Sequence, residues 1–80
     1  MSIDYTKQAK KSIERLDVPT KGRIRQGING LPGGDVKKLK GYNSLYRLTI
    51  GGWRVLFTMV ANDIMIEDVL PRGDAYKGGL

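Results

Sequence analysis

The 80-residue chain contains no cysteine and no histidine. Without cysteine, no disulfide can staple the fold and no thiolate can act as a nucleophile. Without histidine as well, the usual transition-metal sites are excluded, so neither a metal nor a cofactor is expected. No apolar run approaches the roughly 20 residues needed to span a bilayer. The opening segment MSIDYTKQAKK lacks the apolar core of a signal peptide. The expected compartment is therefore the cytoplasm, with no membrane partner. Aromatic residues are also scarce, with a single Trp, a single Phe and four Tyr. A chain of this length makes one domain over residues 1–80 and buries only a modest fraction of its surface. Its stability has to come from one well-packed core, helped by any partner that binds the folded form.

What the chain does have is positive charge. Fourteen Lys and Arg against eight Asp and Glu give a net charge of +6. Residues 1–40 carry all of the excess, with ten basic and four acidic side chains, while residues 41–80 balance at four of each. A basic half beside a neutral half fits an electrostatic footprint for nucleic acid or for an acidic protein. It fits equally a solvated helical surface that binds nothing.

Hydrophobic spacing gives an α+β order of elements. Ile3 and Tyr5 alternate with polar neighbours, as in a short edge strand over Ser2–Tyr5. Thr6 is placed to cap a helix whose apolar face is Ala9, Ile13 and Leu16, with Lys7, Lys11 and Glu14 opposite. Asp17–Val18–Pro19 breaks it, and Pro19 suits the first turn of a second helix. Ile24, Ile28 and Leu31 form the stripe of that second helix, and Gly30 is a natural stop. Gly27 lies inside it and costs about 1 kcal/mol relative to alanine, either for close packing or as a tolerated defect. A turn-rich loop, Leu31–Asp35, then leads to a meander that begins near Leu45. Its strands are Leu45–Ile50, Trp53–Ala61 and Ile64–Leu70, with turns at Gly51–Gly52 and Asn62–Asp63. A Gly-Gly loop is a strong hairpin signal, because both central positions call for positive φ. Pro71 is expected to end the last strand.

With Gly51–Gly52 as the loop, the first hairpin can be registered. Ile50 pairs with Trp53, Thr49 with Arg54, Leu48 with Val55 and Arg47 with Leu56. Cross-strand partners share a face. One face then carries Tyr46, Leu48, Ile50, Trp53, Val55 and Phe57, and must pack on the helices. The other carries Leu45, Arg47, Thr49, Arg54, Leu56 and Thr58, with Arg47 and Arg54 as diagonal neighbours. Two cations so placed repel unless an anion lies between them, and a phosphodiester matches the planar fork of arginine. The alternatives are solvation on an open face, or pairing with Glu67 or Asp68 from the next strand. A plain second turn would put Asp68 on the apolar face with Ile64 and Ile66, so a bulge or a longer loop is expected there. Trp53 reads as a core anchor, whereas Tyr76 stands in a polar segment with no core to fill.

The stretch GDVKKLKGYNSLYRLTIGGWRVLFTM, followed by a strand and RGDAY, resembles the RelE/ParE superfamily of bacterial toxins from type II toxin–antitoxin pairs. The resemblance covers nearly the whole chain. Its most specific part is the succession Leu-Lys-Gly, Tyr-Arg-Leu and Trp-Arg-Val. It implies a helical hairpin packed on a small twisted antiparallel sheet. It also implies a toxin that cleaves mRNA, with the ribosome as a further partner and a cognate acidic antitoxin as its inhibitor. In the RNase branch, basic side chains and a C-terminal tyrosine surround the scissile phosphate. Carried across by position, the catalytic set is Arg47, Arg54, Arg72 and Tyr76, and Lys37, Lys38, Lys40, Thr49 and Lys77 are the RNA-binding set. ParE-like members share the fold but inhibit DNA gyrase, which leaves that activity, or plain nucleic-acid binding without chemistry, as alternatives. Some RNase members carry lysine where this chain has Arg47 and Thr49. An arginine stays protonated at neutral pH and makes a poor base, so the general base is unassigned, with Lys40 and Lys77 as candidates by proximity.

Overall fold

The computed structural model describes residues 2–39 and 45–71. The elements are β1 (Ser2–Tyr5), α1 (Lys7–Glu14), α2 (Val18–Asn29), β2 (Asp35–Lys38), β3 (Leu45–Ile50), β4 (Trp53–Val60) and β5 (Asp63–Pro71). The five strands form one sheet in the order β1-β5-β4-β3-β2, antiparallel except for the parallel pair β1–β5. This is the expected α+β architecture, with two helices on one face of the sheet.

Both helices start where their caps dictate. The Thr6 hydroxyl oxygen accepts the Ala9 N–H at 3.0 Å and donates to the Glu67 carbonyl at 3.0 Å, so one side chain both caps α1 and ties it to β5. Asp17 caps α2 by accepting the Thr20 N–H at 3.2 Å, and Pro19 lies in the first turn. Hydrogen bonds from the Thr20 side chain, then from its backbone, hold the Asp17 carboxyl below its ordinary range. The helix stripes reach the core as their spacing predicts. Ala9, Ile13, Ile24 and Ile28 are buried against Leu48, Val55, Phe57, Ile64, Ile66 and Val69 from the sheet. Tyr46 stacks on Phe57 with ring centroids 5.5 Å apart. Gly27 is a packing requirement: a Cβ there would overlap Ile50 Cδ1 and stand 3.0 Å from Ile50 Cγ1.

Four details differ from the sequence reading. The segment after α2 is not all loop, because Asp35–Lys38 adds an edge strand to β3. Only Val36 among its four residues is apolar, too weak a pattern to announce a strand. At the first turn only Gly51 has positive φ, at 56°, so glycine's freedom is used at one position and not two. The second turn is Ala61–Asn62, one residue earlier than expected, and Val60 pairs with Asp63. Pro71 still pairs with Trp53 and is the last residue of β5 rather than the first beyond it.

The expected bulge is present. Phe57 pairs with Ile66 and Leu56 with Asp68, which leaves Glu67 as the extra residue in β5. Its effect is to return Val69 to the core face, where it is buried. The Asp68 carboxylate accepts the Ser12 hydroxyl at 2.6 Å and its own neighbour's Val69 N–H at 2.8 Å. Those two donors supply what a carboxylate beside a core requires.

Candidate functional site

The β3–β4 register is the one read from the sequence: Thr49 pairs with Arg54 and Arg47 with Leu56. Arg47, Thr49, Arg54, Leu56 and Thr58 therefore share the sheet face turned away from the helices. Arg47 and Arg54 are diagonal neighbours on it, one step apart on adjacent strands. The β2 strand adds to this face. Lys37 pairs with Arg47 and joins it, whereas Lys38 pairs with Tyr46 and belongs to the helix-side face. Lys37 is exposed at the sheet edge. Arg72, Tyr76, Lys40 and Lys77 lie outside the described residues.

Arg54 is not on an open surface. It is 8% exposed, as buried as Leu56 beside it at 7%. Its Nη1 donates to the carbonyls of Trp53 at 3.0 Å and Gly51 at 3.3 Å, so the guanidinium is anchored to its own hairpin turn. Its Nε is buried and has no hydrogen-bond partner among the described residues. A buried, charged donor without an acceptor is costly, and the cost falls when an anion supplies the acceptor. Arg47 and Thr49 are half-buried on the same face. The face thus carries two arginines that are diagonal neighbours by register, at least one of them desolvated, where attraction for an anion is stronger than it would be in water.

The sequence offered Glu67 or Asp68 as the acid that comes to this face, and left open which. Glu67 is carried onto the arginine face by the bulge, and its Oε2 accepts the Thr58 hydroxyl at 3.1 Å. The detectable signal was the conflict already visible in β5, where no regular alternation buries Ile64, Ile66 and Val69 together.

A second feature lies on the other side of the sheet. A groove of about 420 Å³ runs between α1 and α2, floored by Ile13 and flanked by Lys10, Lys21 and Arg25. It gathers three of the ten basic side chains of residues 1–40, with Glu14 among them. Among the described residues, no cluster of three or more metal-ligating side chains occurs, and no helix is long and apolar enough to cross a membrane.

At the level of sequence, no family model and no curated protein matches the chain. Solved structures do match its fold. A chain of the RelB–RelE antitoxin–toxin complex from Methanococcus jannaschii superposes with a TM-score of 0.78 at 24% identity, covering 95% of this chain and 98% of that one. The archaeal RelE–RelB complex from Pyrococcus horikoshii OT3 gives a TM-score of 0.74 at 25% identity, over 90% and 94%. The YoeB dimer from Staphylococcus aureus gives 0.68 at 22% identity, over 85% and 92%. The chain has the fold of the RelE-type toxins.

Proposed function

We propose that this chain, built on the RelE toxin fold, is the toxin of a type II toxin–antitoxin pair and acts as an endoribonuclease that cleaves mRNA on the ribosome. The observation that carries the reading is Arg54: a buried guanidinium, anchored to the turn by Nη1, whose Nε has no acceptor among the described residues, diagonal to Arg47 on the same face. Cleavage of RNA by attack of the 2′-hydroxyl passes through a dianionic phosphorane. Preorganised cationic donors in a dry site stabilise that charge, and this is usually the largest catalytic term. Holding the 2′-oxygen in line supplies much of the remainder. In this reading Arg47 and Arg54 grip the scissile phosphate, joined by Arg72, and Tyr76 stacks on a splayed base. Thr49, Lys37, Lys40 and Lys77 hold the RNA backbone, and Lys38, on the helix-side face, drops out of that set.

The partner is an acidic antitoxin. The neighbours from Methanococcus jannaschii and Pyrococcus horikoshii were solved as complexes with RelB, and a surface of net charge +6 calls for an inhibitor of opposite sign. The test is primer extension on mRNA from cells in which the chain is induced, paired with cleavage of mRNA on purified ribosomes. Discrete new 5′ ends that require the intact chain support the reading. Intact mRNA, with inhibited DNA supercoiling by purified gyrase, would replace it with the ParE-type activity.

A further inference from the structure

The endoribonuclease reading lacks a base. Arginine keeps its proton at neutral pH, and the chain has no histidine. We infer that Glu67, thrown onto the arginine face by the β-bulge, is the general base that takes the proton from the attacking 2′-hydroxyl. This rests on the reading above and adds the one residue that the arginines cannot replace.

The placement follows from the register. Arg47 pairs with Leu56, and Leu56 with Asp68, while Glu67 is the unpaired residue beside that row. Thr58, Leu56 and Arg54 alternate along β4 on the face turned away from the helices. The hydrogen bond from the Thr58 hydroxyl to Glu67 Oε2 therefore fixes the carboxylate on that face. Arg47 and Glu67 stand two strands apart, roughly 10 Å between backbones, on either side of buried Leu56. Both side chains are long enough to converge above it. Arg54 lies one step along the same strand from Leu56. A phosphodiester over Leu56 would lie between Arg47 and Arg54 by register, with Glu67 on the third side. Bulges recur beside active sites for this reason, since they re-aim one side chain without breaking the sheet.

The step balances. Glu67 accepts the 2′-proton as O2′ bonds to phosphorus. The P–O5′ bond breaks, the 5′-oxygen takes a proton from water, and the products are a 2′,3′-cyclic phosphate and a 5′-hydroxyl. Glu67 then returns its proton to solvent. The charged groups that share its face by register are Arg47 from β3 and Arg54 from β4, with Asp68 next in its own strand. A further acid brought near this face, Asp35, is exposed at the first position of the edge strand β2 and pairs with Thr49.

Single-turnover cleavage of ribosome-bound mRNA tests the assignment. Glu67→Gln, which keeps the shape and one acceptor, is expected to slow cleavage about 10²- to 10⁴-fold, the usual contribution of general base catalysis. RNA binding and melting temperature should stay near those of the parent, and Asp35→Asn should cleave at the parental rate. The rise of the cleavage rate from acid to neutral pH should vanish in Glu67→Gln. A substrate with a 5′-thio leaving group should leave the variant slow, because a better leaving group does not replace a base. Restoration by that substrate would make Glu67 an acid and overturn the proposal, as would parental cleavage by Glu67→Gln. If melting falls sharply, Thr58→Val decides. It frees the carboxylate without removing it, and undiminished cleavage with an unchanged pH profile would refute the anchored base. A parent chain that cleaves nothing would refute the endoribonuclease reading itself, and the base with it.

Discussion

The two faces of the β3–β4 hairpin are made by the same residues in alternation, yet they answer to different demands. The helix-side face carries Leu48, Val55 and Phe57, each 2% exposed or less. Every group there is apolar, and its burial stabilises the fold through area removed from water. The far face alternates with it residue by residue and carries Arg47, Thr49, Arg54 and Thr58. Arg54 is nearly as buried as the core but brings a charge, and a donor unfilled among the described residues, with it. One face therefore lowers the energy of the folded chain, and the other sets part of that gain against a desolvated charge. Burial alone does not separate structure from function here. What separates them is whether the buried group finds all its partners inside the protein.

The largest effect should come from the core side. Phe57→Ala removes the central buried aromatic and its stack with Tyr46. It should cost about 3–5 kcal/mol, enough to unfold most of a small domain, as read by urea denaturation. Trp53→Ala, on the same face but only half-buried, should cost less. Equal losses would erase the gradient from hairpin centre to turn.

Arg54 should show both characters at once. Arg54→Ala is expected to lower cleavage about 10²- to 10³-fold. It should also cost roughly 1–3 kcal/mol of stability, because the carbonyls of Gly51 and Trp53 lose their donor. Arg54→Lys keeps the charge but not the fork and should recover less activity than stability. An exposed arginine would show no stability loss, and calorimetry on the two variants decides.

Lys37 and Lys38 divide the faces at the sheet edge. Lys37→Ala should weaken RNA binding uniformly across sequences and reduce the salt slope by about one, since it removes one phosphate contact. Lys38→Ala, on the other face, should change that slope less. Fluorescence anisotropy over a salt series makes the comparison.

The smallest effect belongs to the helical layer, which neither face should feel. Asp17 is held below its ordinary value of 3.8 by Thr20. Its folded form is thus the more acidic, so its contribution is present above that value and disappears as pH falls through the lower, folded one. Asp17→Asn, which still caps, should flatten this part of the melting profile at acid pH without altering cleavage at neutral pH.

Much of this was legible in the residues. The hairpin register followed from two glycines flanked by alternating residues, and both helix faces followed from spacing. The diagonal of Arg47 and Arg54 came with the register. The depth of Arg54 was hidden, because burial depends on what neighbouring strands bring and a hairpin considered alone shows two open sides. Strand β2 was hidden because a four-residue edge strand with one apolar side chain has no pattern to detect. The bulge was visible as a conflict in β5, but which residue would be displaced was not. Whether Glu67 or Asp68 is the odd one depends on Ser12 and Thr58, two hydroxyls from distant parts of the chain that each claim one carboxylate.

The parallel pair at the other edge of the sheet bears on synthesis. Among the described elements β1 is synthesised first, and it lies beside β5, which is synthesised last. The bonds Ser2–Asp63 and Thr6–Glu67 each join residues 61 positions apart. A nascent chain halted after β4 already contains Arg47 and Arg54, but β1 has nothing to pair with and α1 has no strand to lie on. The helix-side core lacks Ile64, Ile66 and Val69. Chains that stop before β5 therefore carry Arg47 and Arg54 without the strand that completes the sheet around them.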